Sequence, residues 1–244
     1  MRRTLVGIST ILCLSLQTRA DIVWIEKEYD FGLFKEEAGP KTGYARFVNT
    51  GPEEVMITGM RPSCGCTKAD FPKDPIAAGD TATVSFTYDP TGRPGKFNKS
   101  VRVYIGSSET YKIPITGNVL GTPQSLSTLY PVVSGPLRLT TANVFGGDVK
   151  KGTAKHFFVN GYNHRADSIQ PKIVCANKAL SVIGSSDKIG PGDIVTYSLY
   201  LNTRELPDTG TIDIPVRIYP IPEENKDEYI DIHLTANIVP PENN

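Results

Sequence analysis

The sequence predicts an all-β protein in which two tandem immunoglobulin-like β-sandwich domains follow an N-terminal signal peptide. Three observations support this prediction. Apolar and polar residues alternate with the period of a β-strand, similar segments recur at a nearly constant spacing, and no long stretch after residue 20 has a helical period. Six or seven short strands in about 100 residues, separated by turns rich in Gly, Pro and Asn, are typical of immunoglobulin-type sandwiches.

The first 20 residues have the layout of a secretory signal peptide. Met1–Arg3 is basic, Leu5–Leu16 is mostly apolar, and Thr18–Ala20 offers small residues where a signal peptidase reads them. The apolar run is shorter than the roughly 20 residues that a membrane-spanning helix needs. We therefore expect cleavage after Ala20 and an exported protein of the periplasm, cell envelope or extracellular medium, with no integral membrane segment in the mature chain.

The charge balance argues against a nucleic-acid-binding protein. The chain has 26 basic and 26 acidic side chains, and three of the basic ones lie in residues 1–20, which leaves 23 against 26. A chain this close to neutrality lacks the basic field on which binding to nucleic acid depends. A hydrophobic content of 39% also excludes a disordered polymer and allows each domain its own core.

An internal repeat divides the chain into two similar halves. The matching segments are Arg46–Asn49 with Phe157–Asn160 and Cys64 with Cys175, both 111 residues apart, and Val101–Tyr104 with Val216–Tyr219, 115 residues apart. Because the matches keep their order and drift by only a few residues, they indicate a duplication with small changes in loop length. We expect domains at residues 21–119 and 134–240, joined by a semi-stiff linker at 120–133.

The strand period is clearest in Thr81–Tyr88, where Ala82, Val84, Phe86 and Tyr88 alternate with hydroxyl side chains. Such alternation predicts a strand with one face in the core and one in water, as in antiparallel sheets. The second copy has the same phase, with Val195, Tyr197, Leu199 and Leu201 as the apolar set. In the matched strand, His156 falls in register with Ala45, so we expect a half-buried structural histidine rather than a catalytic base.

Several segments of the first domain carry a family resemblance. These are Asp30–Gly32, Phe47–Gly51, Ser63–Thr67 (SCGCT), Pro75-Ile76 and Gly92–Phe97. Through them the domain resembles a bacterial exported family, domain-of-unknown-function family 1573, which is typical of Bacteroidetes and is similar to Hydin-like and PapD-like immunoglobulin sandwiches. The resemblance implies the sandwich fold and a location in the cell envelope, but no activity. The second domain departs from the pattern, because Cys175–Asn177 stands where Cys-Gly-Cys is expected.

Cys64 and Cys66 are the candidate site residues, as a disulfide or a reactive thiol pair. A disulfide requires a bend at Gly65, and so small a ring adds at most about 1–2 kcal/mol through chain entropy. Three interpretations stay open: an inert structural disulfide or turn, a reducible pair for thiol exchange, and a soft-metal site for copper or zinc.

The metal interpretation needs ligands that the first domain lacks. Zinc takes four ligands, and His156, His164 and His233 all lie in the second domain, so a closed site would need residues from another chain. We therefore predict no bound metal or cofactor. Cys175, the remaining cysteine of the mature chain, is expected to be a small buried hydrophobic residue.

No catalytic motif is present, so we predict that the protein is not an enzyme. The favoured function is that of a non-catalytic exported cell-envelope protein, an interaction or structural module with an unidentified protein partner. One alternative is a thiol-redox or soft-metal module that uses Cys64 and Cys66. Another is a glycan-binding module in which Trp24, Tyr29 and Phe34 form a sugar platform, although packing in the core or at a sheet edge is favoured for these aromatic residues.

Overall fold

A computed structural model describes residues 22–107, 109–184, 188–221, 223 and 225–241. The predicted signal peptide lies outside the described residues. The described chain is almost entirely β-structure, with 17 strands, one short α-helix and two 3₁₀ turns. No helix in the described part of the chain is long and apolar enough to cross a membrane.

Eight strands build an N-terminal pair of sheets. They are β1 (Ile22–Trp24), β2 (Tyr29–Lys35), β3 (Lys41–Asn49), β4 (Ile57–Pro62), β5 (Thr67–Asp70), β6 (Thr81–Tyr88), β7 (Gly95–Ile105) and β8 (Glu109–Leu120). One sheet has the order β1-β3-β6-β5 and the other β2-β8-β7-β4. The core lies between the two sheets, since the buried side chains of β3 and β6 meet those of β7 and β8.

Nine strands build a C-terminal pair of sheets. They are β9 (Val132–Ser134), β10 (Leu137–Leu139), β11 (Asn143–Lys150), β12 (Ala154–Asn163), β13 (Lys172–Val174), β14 (Leu180–Ile183), β15 (Ile194–Asn202), β16 (Gly210–Tyr219) and β17 (Ile230–Val239). Their orders are β14-β15-β12-β10-β9 and β11-β17-β16-β13. A second hydrophobic core fills the space between these sheets.

The two sheet pairs share one strand order. If β10 to β17 are matched in order with β1 to β8, all neighbouring strands of the N-terminal sheets are also neighbours in the C-terminal sheets. The additional strand β9 lies at one edge. In the N-terminal sheet pair β2 runs parallel to β8. The corresponding strand β11 runs parallel to β17 in the C-terminal sheet pair. The all-β immunoglobulin-like sandwich fold is therefore confirmed, and the domain boundaries at 119 and 134 stay a prediction.

The predicted strand phases are confirmed in β6 and β15. Ala82, Val84, Phe86 and Tyr88 are buried in β6, and the four apolar residues assigned to β15 are buried as well. These strands bury one face only, so a period of two residues is visible in the sequence. Alternation was therefore sufficient to assign both the strands and their inner faces.

The prediction for His156 is wrong, because the repeat in β12 has an offset of 114 rather than 111. Asn49 and Asn163 are both fully buried and donate to the backbone carbonyl four residues later. With this offset Val159, not His156, corresponds to the buried Ala45. His156 instead lies on the exposed face of β12, because a shift of three residues changes the face of a strand.

The predicted linker contains a short helix, α1 (Pro123–Leu129), and most of β9. Thr122 caps the helix, since its hydroxyl accepts a hydrogen bond from Ser125 N–H, and Pro123 occupies the first turn. Seven residues are too few to show a helical period in the sequence. The segment is therefore more regular than the semi-stiff connector that the sequence predicts.

Candidate functional site

Cys64 and Cys66 are bonded to each other in the loop between β4 and β5. Their Cα atoms are 5.2 Å apart, within the range that a disulfide can bridge. Backbone hydrogen bonds hold the loop on both sides: Ser63 N–H donates to Ser100 O, and Asp89 N–H donates to Cys66 O. The bend at Gly65 that a disulfide requires is present between these two anchors.

The disulfide covers an aromatic cluster at one end of the N-terminal sheet pair. Cys66 is buried against Phe34, Tyr88 and Phe97, whereas Cys64 is only partly buried. The rings of Tyr88 and Phe97 stack with their centroids 3.9 Å apart. Burial raises the pKa of the Tyr88 hydroxyl. Both cysteines thus contact the cluster, but Cys66 is more deeply buried than Cys64.

Thr67 places its hydroxyl beside the disulfide. Its Oγ1 lies 3.5 Å from Cys64 Sγ and 3.9 Å from Cys66 Sγ, and the residue is 5% exposed. Thr67 N–H donates to Cys64 O, so the short turn itself directs the side chain toward the sulfurs. The SCGCT segment therefore brings together two sulfurs and one buried hydroxyl.

The other predicted residues do not join this site. Cys175 has a free thiol, is half-buried at the edge of the C-terminal core and directs its sulfur toward Asn177 O. His233 is next to Asp213 on an exposed strand face. In the described part of the chain, no three His, Cys, Asp or Glu side chains are grouped so that they could hold a metal ion.

The aromatic residues considered for a sugar platform are turned into the fold. Trp24 is 6% exposed and stacks on Tyr111 with a centroid distance of 4.6 Å. Phe34 belongs to the cluster under the disulfide, and Tyr29 packs against Phe86. These contacts fit the packing role that the sequence favoured, and Trp24 and Tyr111 also line an open surface cavity.

An exposed sheet face that the sequence did not reveal lies on the C-terminal sheet pair. It consists of the outward side chains of β12, β14 and β15, and we refer to it as the outer face. Its members are Ala154, His156, Phe158, Asn160, Ser181, Ile183, Ile194, Thr196, Ser198, Tyr200 and Asn202. Phe158 and Ile183 are 64% and 68% exposed. None of these residues carries a permanent charge.

Aromatic rings form the centre of the outer face. The His156 ring lies 4.7 Å from that of Tyr200 and 6.4 Å from that of Phe158, to which it is nearly parallel. Ser198 on β15 lies opposite Phe158 on β12 and opposite Ile183 on β14. Its small side chain therefore forms a shallow depression between two apolar side chains. The incorrect repeat offset hid this face, because it assigned the exposed residues of β12 to the core.

The matching face of the N-terminal sheet pair has a different character. Tyr44 corresponds to Phe158 and is also exposed, but Arg46 beside it forms an ion pair with Glu26. This interaction lowers the pKa of the Glu26 carboxyl, chiefly through the hydrogen bond from the Arg46 side chain. Lys68 and Asp70 add further charges on β5. The uncharged aromatic surface is therefore specific to the C-terminal sheet pair.

Comparisons with solved structures gave distant likenesses. A protein of unknown function from Porphyromonas gingivalis is 14% identical with a TM-score of 0.37, covering 88% of this chain and 99% of that one. The ASH/PapD-like domain of human CEP192 is 12% identical with a TM-score of 0.38, covering 46% and 93% respectively. Likenesses at this level say nothing about activity. A comparison with curated proteins gave no match.

The family comparison agrees with the resemblance carried by the SCGCT segment. Residues 22–119, which include both cysteines of the disulfide, match the model described as "Protein of unknown function (DUF1573)". The matched segment covers the whole N-terminal sheet pair except its last strand residue, Leu120. The match to the DUF1573 family, whose function is unknown, therefore applies to residues 22–119.

Proposed function

We propose that this chain is a non-catalytic, exported protein of the cell envelope that binds another protein through the outer face. The observation that carries the proposal is the exposure of Phe158 and Ile183 on a sheet face without charged side chains. Protein interfaces are enriched in aromatic residues and depleted of charge at their centre. Burial of this exposed apolar area by a partner would contribute a favourable free energy of about 25 cal/mol per Å².

The surrounding residues support an interface rather than an accidental patch. Ser181, Thr196 and Asn160 provide hydroxyl and amide groups around the aromatic centre, as the polar rim of an interface requires. Thr196 Oγ1 already donates to Asn160 Oδ1, which fixes both side chains on the surface. A partner would therefore meet a surface whose polar groups are largely ordered before binding.

The export part of the proposal is supported by residues 1–20 and by the disulfide. Disulfides persist in oxidising compartments outside the cytoplasm. Mass analysis of the N-terminal peptide of protein recovered from the producing cells tests export directly. We expect a mature chain that begins at Asp21 in the periplasmic or extracellular fraction. Uncleaved protein retained in the cytoplasm would contradict the proposal.

Site-specific photocrosslinking in the producing cells tests binding. Benzoylphenylalanine is introduced at Phe158, at Ile183 and, as a matched control, at the corresponding exposed aromatic residue Tyr44. We expect a discrete adduct of defined mass from the first two positions and none from Tyr44. The adduct at Ile183 should weaken at least fivefold when Phe158→Ala is added, because a central aromatic anchor is worth about 1–2 kcal/mol or more. The absence of a discrete adduct, or an equal one from Tyr44, would argue against the outer face.

A further inference from the structure

The hydroxyl of Thr67 has an unusual set of neighbours for a buried polar group. Among the residues that the structure describes, the two sulfurs of the disulfide are its only hydrogen-bond partners. A buried hydroxyl needs a good acceptor to offset the loss of water. Thioether and thiol sulfurs are weak acceptors, and a disulfide sulfur likewise carries no charge. The oxidised pair therefore leaves the hydrogen-bonding capacity of Thr67 poorly used.

Reduction would supply the acceptor that is lacking. A thiolate carries a full negative charge, and hydrogen bonds to charged acceptors are roughly twice as strong as those between neutral groups. Both sulfurs lie within 4 Å of the Thr67 hydroxyl, so it can donate to either thiolate without a change of backbone. The buried hydroxyl consequently favours the reduced, ionised pair over the disulfide.

The loop can also keep its shape when the bond is broken. Its backbone is held by the hydrogen bonds of Ser63, Cys66 and Thr67 described above, which do not involve the sulfurs. A ring closed across a single intervening residue contributes little chain entropy, so its loss would remove little stability. The disulfide is therefore poorly suited to be a cross-link that holds the fold together.

Accessibility distinguishes the two sulfurs. Cys64 is partly exposed, whereas Cys66 is 8% exposed and packs on the aromatic cluster. Exchange requires an incoming thiolate to reach one sulfur while the other leaves. Cys64 is the less buried of the two and is therefore the favoured point of approach from solvent. Cys66 would then be the leaving sulfur, next to the Thr67 hydroxyl.

We propose that Cys64–Cys66 is a thiol-exchange site that accepts two electrons from a dithiol, with Thr67 as a positioning residue for the released thiolate. In the first step, a thiolate of the dithiol attacks Cys64 Sγ, a mixed disulfide forms and Cys66 leaves as a thiolate. In the second step, the other thiolate of the dithiol attacks its own sulfur in the mixed disulfide, and Cys64 leaves. The dithiol becomes a disulfide, and its two protons pass through water to Cys64 and Cys66.

The equilibrium with dithiothreitol tests the role of Thr67. Folded protein is equilibrated at pH 8 with mixtures of reduced and oxidised dithiothreitol, and alkylated cysteines are located by peptide mass. We expect Thr67→Val to shift the reduction constant about tenfold toward the disulfide, because a hydrogen bond to a charged group is lost. Thr67→Ser should restore the wild-type constant. The proposal fails if native protein resists excess dithiol, or if Thr67→Val leaves the constant unchanged.

The thiol pKa distinguishes a hydrogen bond from Thr67 to the thiolate from a role of Thr67 in fold stability alone. Absorbance at 240 nm of the reduced Cys175→Ala protein reports thiolate formation at Cys64 and Cys66. Thr67→Val should raise the pKa of the more acidic thiol by about one unit, the shift that corresponds to a tenfold change. Chain unfolding would affect both thiols and the circular dichroism spectrum together. An unaltered pKa in folded Thr67→Val protein would overturn the role of the hydroxyl.

Single-cysteine variants in a Cys175→Ala background test the direction of attack. With Cys66→Ala, we expect Cys64 to form a mixed disulfide with oxidised glutathione, which releases one glutathione thiolate. With Cys64→Ala, modification of Cys66 should be at least tenfold slower. Equal rates would contradict attack at Cys64. The site lies in the N-terminal sheet pair and the outer face in the C-terminal one, so the result is independent of the proposed binding function.

Discussion

At the scale of single residues, Asn49 and Asn163 are the clearest structural counterparts in the two sheet pairs. Each amide donates to one backbone carbonyl four residues later and to another more than 25 residues later, and accepts from the N–H two residues later; Asn163 also donates to Gly190 O. The corresponding contacts involve Glu53, Ile76 and Gly51 for Asn49, and Asp167, Ile189 and Arg165 for Asn163. Both side chains thereby tie the end of a central strand to a distant loop.

Removal of either amide should be strongly destabilising. Asn49→Ala removes three hydrogen bonds to the backbone, each worth about 1 kcal/mol, while Ile76 O keeps its bond from Val55 N–H. We expect the free energy of unfolding in urea to fall by about 3 kcal/mol or more. Asn98→Ala, on an exposed strand face, serves as the control and should change it by less than about 0.5 kcal/mol. Equal effects of the two substitutions would contradict this explanation.

Tyr197 illustrates the opposite case, a buried polar atom without compensation. It corresponds to Val84 of the first sheet pair and is 1% exposed. Its hydroxyl has no hydrogen-bond partner among the residues that the structure describes, and burial raises its pKa strongly. Tyr197→Phe removes only this oxygen, so we expect the free energy of unfolding to rise by about 1 kcal/mol in urea titrations. A decrease would reveal a partner for the hydroxyl, such as buried water.

Elements differ in how well the sequence predicts them. The inner faces of β6 and β15 followed from alternation, because a half-buried strand shows its period locally. The face of β12 did not, since the repeat allowed two offsets and only the hydrogen bonds of Asn163 distinguish them. The cysteine pair was identifiable from its spacing, but its buried hydroxyl depends on the turn that brings Thr67 to the sulfurs. Such contacts arise from folding and leave no periodic signal.

The helix α1 depends on a carboxylate from outside its own segment. Glu36 accepts hydrogen bonds from Gly92 N–H at one oxygen, and from Thr122 N–H and the Ser125 hydroxyl at the other. Desolvation acts to raise the pKa of Glu36, but the hydrogen bonds from Ser125, Gly92 and Thr122 outweigh it and lower the pKa. Glu36 begins the 3₁₀ turn Glu36–Ala38, and its carboxylate is thus the shared acceptor of the turn before β7 and the start of the helix.

Glu36→Gln should weaken this arrangement in a pH-dependent way. An amide presents N–H groups on one side, so at least one donor loses its acceptor, and stability should fall by about 1–3 kcal/mol at pH 7. Because the folded pKa of Glu36 is lowered, its contribution is complete above the ordinary value near 4.3 and is lost as the pH falls through the folded pKa. Urea unfolding should therefore show the variant and wild type converging as the pH falls below the ordinary carboxyl pKa of about 4.3. A constant difference as the pH falls would exclude the carboxylate as the cause.

At the scale of the whole molecule, the two sheet pairs touch through a small junction that combines apolar and polar contacts. Asp193 in the C-terminal pair accepts from Lys96 Nζ at 2.8 Å and from Asn118 Nδ2 at 3.0 Å. Nearby, Gly121 N–H donates to the Tyr162 hydroxyl, so the connecting segment is also held. The repeat predicted two similar units, but no local pattern could predict a contact between residues 97 positions apart. Their mutual orientation is a property of the junction rather than of either sandwich.

Asp193→Ala should loosen this junction without unfolding either sheet pair. A partly exposed ion pair contributes up to about 1 kcal/mol and the hydrogen bond from Asn118 to the charged carboxylate at least as much, so the open junction should become about tenfold more populated or more. Hydrogen exchange of the amides at 120–122, next to Tyr162, should accelerate about tenfold, while those of β7 and β16 keep their protection. Asp80→Ala, in the corresponding exposed turn of the N-terminal pair, is the matched control and should leave the junction amides unchanged. If protection at 120–122 is the same in both variants, the ion pair does not hold the sheet pairs together, and packing around α1 must fix their orientation instead.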